Sequence, residues 1–158
     1  MTLSTYGANN ECIGEGITAS GTGYAGKQWN IFGQVYYPKA TCDAAFAFET
    51  NSLPGQFVPV HIHLTQDEFI LMQEGVLDLK LDGVWVQAKV GDLVRMPRGI
   101  SHGYFNKSDK PARALFWVSP AGKLEALFEK IDGLTDPVEV TALVAQHECQ
   151  ILPPEANA

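Results

Sequence analysis

From Trp29 onward the chain breaks into short apolar runs separated by turn residues. The runs are QWNIFGQVYY, AAFAFET, EFILM, VLDLKL, VWVQAKV, DLVRM, HGYF and ARALFWV. They are rich in β-branched and aromatic residues, which suit a pleated, half-buried surface. Between them stand YYPKAT, LPGQ, QEG, LDG, KVGD, MPRG and NKSDKPA, where Gly, Pro, Asp and Asn interrupt pairing. Side chains two apart on a strand share a face. Phe46 and Phe48 therefore form one pair, and Ile70 and Met72 fall on the face of Glu68. Many short strands at regular spacing predict an all-β sandwich or barrel over residues 28–118, not alternating strands and helices.

Both flanks differ in texture. Residues 1–27 are rich in Gly, Ser, Thr, Ala and Asn and read as an arm that orders only by docking. After Pro120 the period changes to 3.6. Leu124, Leu127, Phe128 and Ile131 fall on one helical face. Asp136-Pro137 predicts the start of a second helix, with Asp as its cap and Pro in its first turn. Val140, Leu143, Val144 and His147 continue it. The chain thus reads as one domain: an arm, a β core and a short C-terminal helical tail over 119–158.

Composition narrows the functional classes. The 158 residues are 46% hydrophobic and 18% charged, a folded composition. The net charge of −7 comes without any run of Lys or Arg. That argues against nucleic acid and anionic membrane surfaces as partners. Cys12, Cys42 and Cys149 are odd in number and far apart, so free thiols in a reducing compartment are expected. The first basic residue is Lys27, and no apolar run reaches membrane-spanning length. The expectation is a soluble, cytoplasmic protein.

The candidate chemistry lies in HIHLTQDE, residues 61–68. His61 and His63 share one face of a strand. Glu68 has the wrong parity for the same straight strand, but LTQD can bend the chain and return the carboxylate to the imidazoles. His102, after the turn MPRG, offers a fourth ligand. Three imidazoles and a carboxylate suit a borderline divalent transition metal and leave coordination positions open. Asp67, adjacent to Glu68, faces the other way and reads as a solvated turn residue. Arg95 and Arg98 read as surface charges, with an anion site at the barrel mouth as the alternative. His147, on the tail helix, receives no role.

Two spaced patterns carry a family resemblance. Gly55, His61, His63, Glu68 and Gly75 form one; Gly91, Pro97, Gly99, His102 and Asn106 form the other. Together they resemble the two cupin motifs, with every fixed position filled. The resemblance implies a double-stranded β-helix, or jelly roll, with a metal inside the barrel. It assigns His61, His63, Glu68 and His102 as ligands, and Gly55, Gly75, Gly91 and Gly99 to turns. Fe2+ is the first expectation, with Mn2+, Ni2+, Zn2+ and Cu2+ open. The tail loosely resembles the flavonol dioxygenase (quercetinase-like) branch. This implies a dioxygenase acting on an aromatic or polyphenolic small molecule, with Glu68 as the base. That role requires burial to raise the pKa of Glu68 toward neutrality. The alternatives are a metal-dependent isomerase or lyase of a small hydroxy-keto compound, and a non-catalytic ligand-binding module. A homodimer is expected, with the N-terminal arm crossing to a neighbour.

Overall fold

The structure, a computed structural model, describes residues 16–158. In chain order the strands are β1 (Trp29–Ile31), β2 (Gln34–Cys42), β3 (Ala45–Ser52), β4 (Phe57–His63), β5 (Asp67–Glu74), β6 (Val76–Leu81), β7 (Val84–Lys89), β8 (Leu93–Met96), β9 (His102–Phe105) and β10 (Ala112–Ser119). Helices α1 (Leu124–Ile131) and α2 (Pro137–Gln146) follow, and strand β11 (Cys149–Ile151) comes after them.

The strands form two antiparallel sheets. One runs β1-β2-β3-β10-β5-β8 and the other β11-β4-β9-β6-β7. The pairing is nested. β3 pairs with β10, β4 with β9, β5 with β8 and β6 with β7. Successive pairs alternate between the sheets, as when one long hairpin is wound into a helix. This is the jelly roll that the motif resemblance implied, within the all-β class that the strand pattern predicted.

Alternation places the core. Every second residue of β10 is buried, and β5 follows the same rule. Phe46, Phe48, Ile70, Met72, Leu77, Leu79 and Phe116 fill the space between the sheets. Phe48 stacks on Phe116 across the β3–β10 pair, with ring centres 5.3 Å apart. The edge of Phe128, from α1, meets the Phe48 ring at 5.0 Å. The helix therefore closes one end of the barrel with the face read from its spacing.

Turn glycines stand where expected, and Gly75 shows why. Its φ is +70°, and a Cβ there would lie 2.6 Å from the Pro111 carbonyl oxygen. Asn106 is structural, as expected. Its amide donates to the carbonyls of Ser52 and Lys110, and its oxygen accepts from Ser108.

The tail departs from the expectation of a purely helical appendage. β11 pairs with β4 in the register Cys149↔His63 and Ile151↔His61. Three residues directly after a helix are too few to show a period of two, which is why CQI escaped the reading. Asp136 caps α2 as expected, accepting from the Val138 amide at 2.9 Å. His147 lies just past α2 and bonds the Leu143 carbonyl, consistent with a structural place.

The described part of the arm packs on its own chain. Thr18 donates to the Lys39 carbonyl, and the Gly21 amide to Glu49. Residues 1–15, including Cys12 and most of the arm expected to reach a neighbour, lie outside the described residues. Among the described residues, no helix is long and apolar enough to cross a membrane.

Candidate metal centre

His61 and His63 end β4 and point into the barrel. β4 bulges against β9 between Val58 and His61. Gly103 permits that approach: a Cβ there would meet the Val58 carbonyl at 2.9 Å and the Val60 amide at 3.0 Å. The bulge sets His61 opposite His102, with ring centres 4.5 Å apart. The segment after His63 bends, its Leu64 amide held by the Glu148 carbonyl at 2.9 Å. β5 then starts at Asp67 and brings Glu68 back to the imidazoles. The Pro97–Ile100 turn delivers His102, and its Gly99 amide donates to the His63 carbonyl at 2.8 Å.

The four expected side chains meet. One ligand atom from each of His61, His63, Glu68 and His102 lies within 4.8 Å of the others. Glu68 Oε2 is 2.8 Å from His102 Nε2 and 3.4 Å from His63 Nε2. His63, Glu68 and His102 are buried, and His61 is half-buried.

The outer ring atoms fix the tautomers. His61 Nδ1 faces the Pro59 carbonyl at 2.8 Å, His102 Nδ1 the Ile100 carbonyl at 3.0 Å, and His63 Nδ1 the Gln66 amide oxygen at 3.0 Å. Those oxygens can only accept, so each Nδ1 carries a proton and each Nε2 is the ring atom turned toward the cluster. Three inward imidazole nitrogens and a carboxylate, oriented by outer partners, fit a divalent transition metal that would displace the protons shared with Glu68.

The electrostatics of the four groups contradict one expectation. Burial, reinforced by the neighbouring imidazoles, pulls His61 down to about 3. Burial alone would lower His63, but Glu68 and Cys149 outweigh it and hold it well above the usual histidine range. Burial alone would raise Glu68, but His63 and His102 hold its carboxyl well below the ordinary range. The carboxylate is thus not tuned toward neutrality as the base reading required, because the imidazoles reach it more strongly than the apolar wall does.

The remaining charged candidates stay outside. Asp67 opens β5 and accepts from the Arg98 backbone amide at 3.0 Å and side chain at 3.1 Å, with Arg95 at 3.9 Å. It is a paired strand residue and not a turn residue. Arg95 and Arg98 are exposed and line no part of the cavity.

The cavity above the cluster is walled by Tyr36, Phe48, Tyr104, Phe116, Leu127 and Phe128, among others, and among the described residues no Lys or Arg faces it. Its volume is about 60 Å³, against ~150 Å³ for an engineered cavity that takes benzene. An aromatic ligand must therefore reach out through the mouth or displace part of the wall. α1 and, through Val144, α2 are wall segments outside the hydrogen-bonded sheets.

Two supporting residues escaped the sequence reading. Gln66, read as a polar turn residue, is 1% exposed. It accepts from His63 and donates to the Pro120 and Ala121 carbonyls, tying a ligand to the start of the tail. Cys149 Sγ sits 3.4 Å from the same His63 Nδ1. Only tertiary placement reveals either. Gln66→Leu should lower metal affinity about 10- to 100-fold, the usual loss for an orienting partner. Competition with a colorimetric chelator reads this; an unchanged affinity would show that Gln66 does not orient His63.

Comparison with known proteins adds the family. Residues 48–118 match the family described as Cupin domain, a span from within β3 to within β10. The chain is 27% identical over 96 residues to the polyketide synthase CurC of Streptomyces cyaneus, covering 59% of this chain and 62% of that protein. It is 34% identical over 65 residues to the oxidoreductase iacF of Pestalotiopsis fici, covering 39% and 32%. The alignments thus span less than two thirds of either relative. An RmlC-like cupin from Shewanella frigidimarina superposes with a TM-score of 0.59 at 19% identity, covering 68% of this chain and 93% of that one. With the nested strand pairing and the residues of both motifs in place, residues 48–118 form a cupin domain.

Proposed function

We propose that the chain is a metal-dependent enzyme acting on a hydroxylated aromatic molecule, and that the reaction is a dioxygenation. The observation that carries this is the ligand cluster at the base of a cavity walled by aromatic and aliphatic side chains, with no Lys or Arg among the described residues facing in. Such a wall suits a planar, uncharged ring and gives a phosphate nothing to pair with. The oxidoreductase name of one relative is in keeping with redox chemistry, and the polyketide synthase name of another with an oxygen-bearing carbon skeleton.

His61, His63, Glu68 and His102 would hold the ion, which supplies Lewis acidity toward a substrate oxygen and a route for electrons to dioxygen. The chain's own contribution is positional. The aromatic walls orient the ring and exclude water. Glu68 accepts a hydrogen bond from the substrate hydroxyl and receives its proton as the ring becomes electron-rich. A carboxylate held at low pKa is a weak base. Its part is therefore to fix the proton's path, beside an ion that would acidify the hydroxyl. The cavity's size sets a condition on any aromatic substrate: its ring reaches out through the mouth, or part of the wall moves outward.

A second reading, an isomerase or lyase of a hydroxy-keto compound, would use the same cluster without dioxygen. The polyketide synthase name of a relative favours keeping it. An oxygen electrode separates the two during an aerobic and anaerobic screen of phenols and hydroxy-ketones. The expected result is uptake on addition of a phenol, with no product under anaerobiosis. Glu68→Gln should cut that turnover about 100-fold or more, in line with loss of a proton-transfer group. Full turnover without oxygen would reject the dioxygenase.

A further inference from the structure

A polar feature of the cavity wall plays no part in the ligand cluster. Tyr36 comes from β2 in one sheet and Tyr104 from β9 in the other, and both line the cavity. They are 3% and 5% exposed. Their hydroxyl oxygens lie 2.8 Å apart, a hydrogen bond that bridges the two sheets inside the barrel. Tyr104 also donates to Gln34 Oε1 at 3.1 Å. Gln34 is 1% exposed, and its Nε2 has no partner among the described residues.

Proton counting gives this chain a direction. A phenol has one proton to donate and can also accept. Tyr104 gives its proton to Gln34, so Tyr36 must donate the bond between the two phenols. The proton of Tyr36 is then committed. Its oxygen accepts from no group among the described residues. The ring cannot turn away, since it stacks on Phe48 at 5.4 Å and 11° and meets the edge of Phe128 at 5.2 Å. A fixed acceptor with no partner among the described residues thus stands on a wall whose other polar side chains are Tyr104 and the ligand cluster. The phenol also stays protonated at neutral pH: burial foremost, with the charge of Glu68 adding, pushes it above the ordinary tyrosine range.

We propose that Tyr36 is the recognition point for a second hydroxyl on the ligand ring, while another oxygen of the same ligand faces the His61, His63, Glu68 and His102 cluster. This rests on the cavity being the substrate site and narrows the substrate class to aromatics carrying at least two hydroxyls. A hydroxyl donates to Tyr36 and completes the chain into Gln34. An ether or carbonyl oxygen at the same place sets lone pair against lone pair. A bare ring carbon leaves a buried acceptor dry.

The test uses single-ring probes. Resorcinol and hydroquinone, their monomethyl ethers, and phenol are titrated by ligand-observed NMR into the Zn2+-loaded protein. At least one diol should bind about tenfold tighter than both its ether and phenol, the ratio a well-placed hydrogen bond supplies. Tyr36→Phe should erase that preference. Tyr104→Phe frees the Tyr36 proton, so the ether should gain on the diol. Equal binding of diol, ether and phenol by the wild type, no binding of any of them, or an unaltered preference in both variants would each overturn the proposal. Oxygen uptake is read separately. A protein with the preference but no oxygen consumption keeps this site and loses the dioxygenase; one that consumes oxygen without the preference does the reverse.

Discussion

His61→Ala should lower the affinity for a divalent transition metal by at least about 100-fold while leaving the fold in place. Removing an outer partner of a metal ligand already costs roughly 10- to 100-fold. Removing the ligand itself should cost no less. His61 is the right member of the cluster to change. It is half-buried, and its one hydrogen bond runs to the nearby Pro59 carbonyl, so its loss strands little. His102 and His63 both contact Glu68, and truncating either would leave a buried carboxylate short of partners. The lost Pro59 bond should lower stability by only about 1 kcal/mol. Metal affinity by chelator competition and unfolding by circular dichroism check the two halves. Wild-type affinity in a folded His61→Ala protein would exclude this imidazole from the centre.

Phe48→Ala should be the most damaging single change in the core. The side chain is 2% exposed and packs between both sheets and α1. It stacks on Tyr36 and on Phe116 and receives the edge of Phe128. Truncating a buried Phe costs about 3–5 kcal/mol in lost transfer energy and residual cavity, against a total stability of roughly 5–15 kcal/mol. The melting temperature should fall by roughly 6–20 °C for a chain of this size. Ligand affinity should fall with it, because Phe48 also walls the cavity. A loss under about 1 kcal/mol would mean that the wall closes over the gap and that the aromatic cluster does not set the cavity's shape.

Period and spacing made much of this legible. The two-residue period of AAFAFET and EFILM announced strands whose inward faces are now seen to pack. The helical face of Leu124, Leu127, Phe128 and Ile131 emerged from its spacing alone. His61, His63 and Glu68 were readable because turn chemistry between 64 and 66 resolves their clash of parity. What stayed hidden depends on distance in space. β11 is too short for a period, yet it lies against the ligand strand. Gln66 looks like any loop amide until His63 is seen to donate to it. Tyr36 and Tyr104 stand 68 positions apart, and no local pattern relates them. The ionisation of Glu68 was misjudged for the same reason. Burial was foreseeable from sequence, but the imidazoles' approach to one carboxylate oxygen is a matter of ångströms.

The central claim is that three imidazoles and one carboxylate from β4, β5 and β9 hold a single cation inside the barrel. X-ray absorption of the metal-loaded protein tests it most directly. The account predicts three imidazole nitrogens and a carboxylate oxygen in the first shell, at roughly 2.0–2.2 Å for a zinc-loaded sample. Fewer than three imidazoles, or a sulfur at about 2.3 Å drawn from Cys149, would contradict it.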